Sequence, residues 1–465
     1  MRRWRFIVAE AALALAMLLA LRTTTPPASA QSPDLGLRGH GGPIRSIAVL
    51  DDKTVVTGGF DSAIIVWDLA SGTAKRVLRF HEGAVTALVA QGRDCFVSGG
   101  EDGRVADWCL SSEKLRSSAN VHSAPITALA LTPFQTTEGR YHSLYSSSWD
   151  RSVKIIPSDS SGRIQSETTA VVVEHKAPVN GIAKVSDAIA SASADGMVRV
   201  TGAVFTEGKL LRQSQLPAAL NGLAVLPAPD NRIVLTAADG RVRVLNLDLT
   251  PSFEIELPDG PLTAVAVSPD GKTIAVAGMR TPATLIDVER RAVARRILGP
   301  GLPIWALAFS LDSGELFTGG ADRALRRWTV ATGEPAGNPL SPAADLTGKP
   351  DNDPGARVFR ACAVCHTIQP EDTQRAGPSL AGIMGRRIAT APGYDYSEAL
   401  KKMDIVWSPV TIAKLFEVGP ALYTPGTKMP EQRLTDPTDR KALVDWLVKV
   451  TKPQAQLQRE PATRR

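Results

Sequence analysis

A short cysteine and histidine motif near the end of the 465-residue chain carries the most specific chemistry in the sequence. Cys362 and Cys365 are separated by two residues, and His366 follows directly. This spacing allows two thiols to form thioether bonds to the vinyl groups of a haem while the imidazole binds its iron. A dithiol or a zinc site could use the same residues, so the sequence that follows must decide.

The region 355–452 resembles the class I cytochrome c family along nearly its whole length, and the resemblance implies a small all-α domain. Three further segments carry it: Gly377-Pro-Ser-Leu380, Pro392-Gly-Tyr-Asp-Tyr396-Ser-Glu-Ala399 and Ile405-Val-Trp407. It implies one haem c bound covalently through Cys362 and Cys365, with the Pro378 carbonyl accepting a hydrogen bond from the proximal ligand His366. By the same match, Tyr396, Trp407 and Thr427 are cofactor-binding residues, and Tyr396 and Trp407 bind the propionates.

Met429 is the expected second axial ligand of the iron. It lies in the segment Tyr423-Thr-Pro-Gly-Thr-Lys-Met429-Pro, where two prolines and a glycine stiffen the chain. Met384 and Met403 are competitors, but neither lies in such a loop. Ligation by His366 and Met429 would fill both axial positions, which suits an electron carrier and leaves no open site for a substrate. We therefore expect no catalytic residue here.

The chain that precedes this domain contains a repeated pattern. Short apolar segments are followed by small residues and an aspartate, at Asp61, Asp102, Asp150, Asp195, Asp239 and Asp322. Successive aspartates are 41, 48, 45, 44 and 83 residues apart, and a degenerate copy at 261–287 fills the double interval. Apolar and polar residues alternate within each unit, as from Ile44 to Leu50, which indicates half-buried strands. The sequence thus predicts seven all-β repeats.

These units resemble the WD-repeat (WD40) family over residues 35–340, which implies a seven-bladed β-propeller with four strands per blade. The family's Gly-His and Trp-Asp marks are present as Gly39-His40 and Trp67-Asp68. In that family a His, a Ser or Thr, an Asp and a Trp form a buried hydrogen-bonded set. By offset, this structural set is His40, Thr57, Asp61 and Trp67 in the first repeat, and His81, Ser98, Asp102 and Trp108 in the second.

Two further expectations concern the propeller. A strand near Leu35 to Arg38 should pair with the last blade and close the ring, which would hide an exposed sheet edge. The chain has six histidines, of which His40, His81, His122 and His175 precede turn aspartates and are assigned to blade structure. With His366 on the haem, only His142 remains. This disfavours a second histidine-ligated haem or a transition-metal site in the propeller.

The N-terminus predicts export. A basic start precedes an apolar run from Phe6 to Leu21, and Ala28-Ser-Ala30 offers a cleavage site, so residues 1–30 are expected to be a Sec-type signal peptide. An uncleaved anchor is the alternative, although Glu10 interrupts the run. We expect a periplasmic protein without a membrane span after cleavage. Its net charge would be about +3, which gives no electrostatic support for nucleic-acid binding.

The remaining segments are a linker, a closing helix and a tail. Pro, Gly, Asn and Asp are dense around 341–354, which indicates a linker. The segment from Asp436 to Val450 has a capping residue and one apolar stripe, and 453–465 is polar enough to be a disordered tail. Cys95 and Cys109 should lie on strands that flank the Asp102 turn; whether they form a disulfide stays open at this point.

These features together predict a periplasmic electron-transfer protein that is not itself an enzyme. Its propeller would dock redox partner proteins, and Lys401, Lys402, Lys414 and Lys428 resemble the basic rim with which soluble cytochromes c approach acidic partners. One alternative is a redox enzyme resembling the nitrite reductases that join a cytochrome c to a catalytic propeller, but these need a further haem. The other is an interaction scaffold whose haem senses redox state.

Overall fold

The computed structural model describes residues 35–112, 115–136, 139–159, 163–165, 169–203, 209–300, 302–337, 353–363, 365–370, 377–429 and 432–451. The predicted signal peptide (1–30), the predicted tail (453–465) and most of the predicted linker (341–354) lie outside these ranges. Within them, no helix has the length and apolar character needed to cross a bilayer.

The N-terminal part is a propeller of seven antiparallel sheets, each with four strands, as the repeat analysis predicted. Blade 1 comprises β2 (Ile44–Val49), β3 (Thr54–Gly59), β4 (Ala63–Asp68) and β5 (Thr73–Arg79). Blade 2 comprises β6 (Val85–Ala90), β7 (Cys95–Gly100), β8 (Arg104–Cys109) and β9 (Ser117–Asn120). Blade 3 comprises β10 (Ile126–Thr136), β11 (Gly139–Ser148), β12 (Ser152–Pro157) and β13 (Ala170–Glu174).

The later blades follow the same order. Blade 4 comprises β14 (Val179–Val185), β15 (Ala188–Ser193), β16 (Met197–Gly202) and β17 (Leu210–Gln215). Blade 5 comprises β18 (Leu220–Val225), β19 (Ile233–Ala237), β20 (Arg241–Leu245) and β21 (Pro251–Glu256). Blade 6 comprises β22 (Leu262–Val267), β23 (Thr273–Gly278), β24 (Ala283–Asp287) and β25 (Ala292–Ile297). Blade 7 comprises β26 (Ile304–Phe309), β27 (Glu315–Gly320), β28 (Ala324–Thr329) and β1 (Leu37–Arg38).

The ring is closed by the first strand of the chain. β1 pairs antiparallel with β28, where Leu37 lies opposite Leu325. The predicted closure is therefore confirmed, and the pairing covers an edge that would otherwise expose unpaired backbone groups. Leu37 also packs with Ile65, Trp67 and Phe317 in the core between blades 7 and 1.

The repeated aspartate shapes the turn between the second and third strands of a blade. Asp61 accepts a hydrogen bond from the Ala63 amide at 3.2 Å, and Asp195 accepts one from the Met197 amide at 2.9 Å. Such a side-chain turn requires the intervening residue to adopt a left-handed backbone, and Gly196 has a φ of 79°. The Asp-Gly pairs of the sequence thus mark the turn that connects two strands.

Side chains on the innermost strands join adjacent blades. The Ser46 hydroxyl donates to the Val85 carbonyl at 2.9 Å, and Asn180 donates to the Leu220 carbonyl at 2.8 Å. Equivalent bonds join four further pairs: Thr86 and Ile126, Thr127 and Val179, Asn221 and Leu262, and Thr263 and Ile304. These bonds satisfy backbone groups between the blades and fix the blades relative to one another.

The C-terminal part is helical, in agreement with the predicted fold class. Its helices are α1 (Pro354–Ala363), α2 (Glu398–Lys401), α3 (Pro409–Val418), α4 (Pro420–Tyr423) and α5 (Pro437–Val450). Helix α1 begins at Pro354, the last residue of the predicted linker. A local cap fixes this start, since the Asp353 carboxylate accepts a hydrogen bond from the Gly355 amide at 2.9 Å.

Helices α1 and α5 cross at close range. A side chain on Gly355 would lie 2.2 Å from the Ala442 carbonyl oxygen, so the crossing requires glycine there. The rings of Phe359 and Trp446 pack with their centroids 4.7 Å apart. Asp436 caps α5 by accepting a hydrogen bond from the Thr438 amide. This crossing anchors α1, whose last turn carries the first cysteine of the haem motif.

Candidate functional site

The cysteine and histidine motif forms a tight turn at the end of α1. The amides of Cys365 and His366 both donate to the Cys362 carbonyl, at 3.0 and 2.9 Å. Cys362 and Cys365 are buried, and burial raises the pKa of the Cys362 thiol to about 11. The turn therefore directs both thiols and the imidazole into one cavity, which all three residues line.

The imidazole of His366 is held in a defined orientation. Its Nδ1 donates to the Pro378 carbonyl at 2.9 Å, which leaves Nε2 as the nitrogen for a metal. Gly377 lies against the ring, and a side chain there would come within 2.5 Å of His366 Cε1. Burial lowers the pKa of His366, and a neutral imidazole is the form that binds metals. The hydrogen bond to Pro378 is the one that the resemblance implied.

Met429 lines the same cavity from a braced loop. The Met429 amide donates to the Thr427 hydroxyl at 3.1 Å, and the Thr427 amide donates to the Thr424 carbonyl at 3.0 Å. Gly426 has a φ of 80° and its carbonyl accepts a hydrogen bond from the Ser397 hydroxyl. Met384 and Met429 both pack against the core of the domain, but of the three methionines only Met429 lines the cavity. Met429 is thus the methionine in position to bind the iron.

Tyr396, Trp407 and Thr427, predicted to contact the cofactor, also line the cavity. Sequence reasoning missed Arg386 beside them. The Arg386 guanidinium donates to the carbonyls of Ala381 and Ser379, at 2.9 and 2.7 Å, and its charge acts on Tyr396. A fixed cation at this position suits the carboxylates of a haem. Arg386 lies between the quoted segments Gly377 to Leu380 and Pro392 to Ala399 and belongs to no motif, so no pattern in the sequence indicated it.

The cavity fits the implied cofactor. It is partly open to solvent, and its lining comes from the turn of the cysteine and histidine motif and from the loop that carries Met429. Its donors are two buried thiols, an imidazole with one nitrogen already bonded, and a thioether. The remaining lining includes Phe359, Ile412 and Leu443, which are buried and apolar. This combination matches the ligation of haem c and lacks the closed cysteine or histidine set of a structural zinc site.

The predicted structural set of blade 1 is assembled in the structure. His40 Nδ1 lies 3.0 Å from Asp61 Oδ1, and His40 Nε2 lies 2.7 Å from the Thr57 hydroxyl. Trp67 Nε1 donates to the same hydroxyl at 2.7 Å. Burial opposes ionisation of Asp61, but His40 and the Gly41 and Ala63 amides hold the pKa of Asp61 below its ordinary value. In blade 2, His81, Ser98, Asp102 and Trp108 make the corresponding contacts.

Two later blades replace the histidine, which precedes the first strand, with an arginine on the third strand. Arg243 on β20 donates to both oxygens of Asp239, at 3.2 and 2.5 Å. Arg326 on β28 donates to Asp322 at 2.6 Å. In blades 5 and 7 the turn aspartate therefore keeps a cationic partner, although no histidine stands at the expected position. Sequence reasoning did not find these pairs because the offset from the aspartate is different.

The other sequence candidates have specific positions as well. Cys95 and Cys109 lie opposite each other on β7 and β8 and form a disulfide. Among the rim lysines, Lys401 pairs with Glu398 and Lys414 pairs with Glu417, each at 2.9 Å. Lys428 donates to the His81 carbonyl of the propeller at 2.8 Å. Lys428 is thus engaged in a hydrogen bond within the chain. This weakens the expectation that it belongs to a basic rim for acidic partners.

Comparison with known proteins agrees with this geometry. The family model "Cytochrome c" matches residues 353–451, and the model "WD domain, G-beta repeat" matches 32–68 and 113–156. Cytochrome c from Arabidopsis thaliana is 37% identical over 110 residues, which are 23% of this chain and 97% of that protein. Cytochrome c from Sesamum indicum is 38% identical over 98 residues, which are 21% of this chain and 87% of that protein.

The propeller has a structural counterpart. The crystal structure of the WD40 beta propeller domain of Doa1 aligns with a TM-score of 0.53 and 18% identity, and the alignment covers 63% of this chain and 94% of that one. At this identity the likeness concerns the fold alone. Four findings lead to one assignment: the matched WD repeats, the seven blades, the haem-binding motif and the similarity to cytochromes c. Through its C-terminal domain, which follows a WD40 β-propeller, the chain belongs to the cytochrome c family and carries covalently bound haem c for electron transfer.

Proposed function

We propose that the chain is a periplasmic electron carrier with one haem c, that His366 and Met429 are the axial ligands, and that the propeller docks a redox partner. One observation carries the proposal: Cys362, Cys365, His366 and Met429 line a single cavity with a largely buried apolar wall. Two protein ligands on the iron would leave no position for a substrate. This favours electron transfer over chemistry on a bound molecule.

When bound, haem c supplies reversible one-electron transfer at its iron. The residues of the chain would hold the iron ligands in place and keep water away from the site. The Pro378 carbonyl fixes the His366 imidazole, and the braced loop before Met429 fixes the thioether. Apolar side chains such as Phe359 and Leu443 exclude water. A rigid and dry site changes little between two oxidation states, so little reorganisation accompanies the transfer.

The docking role of the propeller is supported by exposed aromatic residues on its turns. Trp149 is 55% exposed and Phe60 is 44% exposed, although both are large and apolar. Each directly precedes a turn aspartate, so the two occupy equivalent positions on the same edge of the propeller. Exposed aromatic side chains of this kind often mark protein-binding surfaces.

The periplasmic location is supported by the sequence of residues 1–30 and by the disulfide between Cys95 and Cys109. Disulfides persist in oxidising compartments and are rare in the cytosol. In the rival enzyme the propeller would need a second haem. His40, His81, His122 and His175 are all engaged with turn aspartates or strand hydroxyls, so none of the four offers a ligand.

A visible absorption spectrum of the matured full-length protein tests the proposal. We expect one haem per chain by pyridine haemochrome, a low-spin spectrum and the weak sulfur-to-iron band of the oxidised form. Met429→Ala should abolish that band while the covalent haem remains, and Met384→Ala is the matched control that should keep it. A high-spin spectrum or a second haem in the wild-type protein would contradict the carrier function and favour an enzyme.

A further inference from the structure

The propeller contributes to the wall of the haem cavity. Gly41, which lies between β1 and β2, lines the cavity together with Cys365 and His366. The Gly41 amide donates to Asp61 Oδ2 at 2.6 Å, so the turn aspartate of blade 1 fixes the backbone at the cavity. A second contact joins Lys428 and the His81 carbonyl, as described above. Residues from the first two blades thus meet the cytochrome domain at the cofactor site.

Arg79 makes the most consequential contact between the two domains. It is the last residue of β5, and its guanidinium carbon lies 4.3 Å from the centroid of the Tyr394 ring. The charge of Arg79 also acts on the Tyr394 hydroxyl, which favours its ionised form. Tyr394 lines the cavity, and its ring centroid is 4.6 Å from that of Tyr396. A propeller arginine therefore holds a tyrosine of the cofactor pocket in place.

The charge of Arg79 reaches the ligand side of the cavity. It interacts electrostatically with His366 and with Tyr396. Reduction adds one electron to the haem, so a fixed positive charge nearby stabilises the reduced state relative to the oxidised state. In a partly buried site this interaction is screened less than in water.

We infer that Arg79 of the propeller is a positioning residue of the haem site, which holds Tyr394 against the cavity and raises the reduction potential of the haem. This inference rests on the proposed function, since it requires a redox-active haem in the cavity. It gives the propeller a role beyond docking, because the propeller would set the property that determines which redox partners can exchange electrons with this chain.

The test is a spectroelectrochemical titration of the full-length holoprotein and three variants. Arg79→Gln removes the charge, Arg79→Lys retains it, and Arg76→Gln is the matched control. Arg76 lies on the same strand but donates to the Ser112 carbonyl within the propeller. We expect Arg79→Gln to lower the equilibrium constant for reduction at least about threefold, which is roughly 30 mV for one electron. Arg79→Lys and Arg76→Gln should remain near the wild-type value.

Hydrogen exchange of the segment around Tyr394 gives a second readout. We expect faster exchange there in Arg79→Gln than in Arg76→Gln, because the arginine contact to Tyr394 is lost. An unchanged potential in Arg79→Gln would overturn the inference and leave the carrier function intact. An equal fall in Arg79→Lys would show that charge is not the cause and would also overturn it. Failure of the proposed function would instead appear in the wild-type spectrum, as a high-spin iron or a second haem.

Discussion

Replacing Thr57 with Val tests whether the buried polar side chains of blade 1 stabilise the propeller. The Thr57 hydroxyl accepts from Trp67 Nε1 and contacts His40 Nε2, each at 2.7 Å, and all three side chains are at most 1% exposed. Because Asp61 accepts from His40 Nδ1, Nε2 of a neutral imidazole must accept the Thr57 proton. Valine has nearly the same shape as threonine but can neither donate nor accept.

The magnitude follows from the two groups that would lose their partner. Each buried group left without a hydrogen bond costs about 1–3 kcal/mol, so Thr57→Val should lower the free energy of unfolding by about 2–6 kcal/mol. Blade 5 provides a control with the same substitution. Thr236 on β19 occupies the position that corresponds to Gly58, next to that of Thr57, and is fully buried, but its hydroxyl has no hydrogen-bond partner among the described residues. Thr236→Val should leave stability unchanged or raise it by about 1–3 kcal/mol.

The assay is chemical denaturation followed by tryptophan fluorescence, with the haem spectrum as a separate probe of the cytochrome domain. Two probes are needed because a chain with two domains need not unfold in one step. We expect Thr57→Val to shift the fluorescence transition to lower denaturant, and Thr236→Val to leave it in place or move it higher. Equal losses of stability in the two variants would refute the reasoning, since the cost would then arise from packing and not from hydrogen bonds.

The remaining predictions concern the haem ligand and a blade histidine. Gly377→Ala should lower the yield of holoprotein, because the new methyl group would lie 2.5 Å from His366 Cε1; haem content per chain measures this, with Gly314→Ala as the control because the nearest atom to a methyl group there is the Asp312 carboxylate, 3.3 Å away. Burial lowers the pKa of His175 to about 4. In the unfolded chain the pKa of this histidine is about 6.5. Between pH 4 and pH 6.5 the unfolded state therefore binds more protons than the folded state. The contribution of His175 to the free energy of unfolding is thus fully present above pH 6.5 and is lost as the pH falls towards 4. Denaturation of the wild-type protein and His175→Gln across this range should show a weaker pH dependence in the variant; identical slopes would contradict the assignment.

Much of the propeller could be predicted from spacing alone. The intervals between turn aspartates gave the number of blades, and the early strand at Leu37 gave the ring closure. The arginine partners of Asp239 and Asp322 could not be predicted, because Arg243 and Arg326 lie on the third strand of a blade, whereas the usual histidine precedes the first strand. A side chain that reaches the same carboxylate by another route leaves no fixed offset in the sequence.

Some residues of the cofactor site could likewise be predicted from the sequence, and others could not. Cys362, Cys365, His366 and Met429 lie in segments whose local pattern carries the chemistry, and the structure brings them to one cavity. Arg386 has no such pattern, since its role depends on the fold of the 379–386 segment. Gly41 and Arg79 could not be predicted as part of the site, because they belong to the other domain and reach the site only through tertiary contact.

Asp61 connects the stability of the propeller with the geometry of the haem cavity. One carboxylate binds the blade histidine, the turn amide of Ala63 and the amide of Gly41 at the cavity wall. Arg79 lies outside this set and contacts Tyr394 instead. Thr57→Val keeps the bond between Asp61 and Gly41, so it should weaken the blade with little effect on the potential. Arg79→Gln should change the potential with little effect on the blade. The first blade would then serve two separable purposes, because different side chains carry its stability and its influence on the haem.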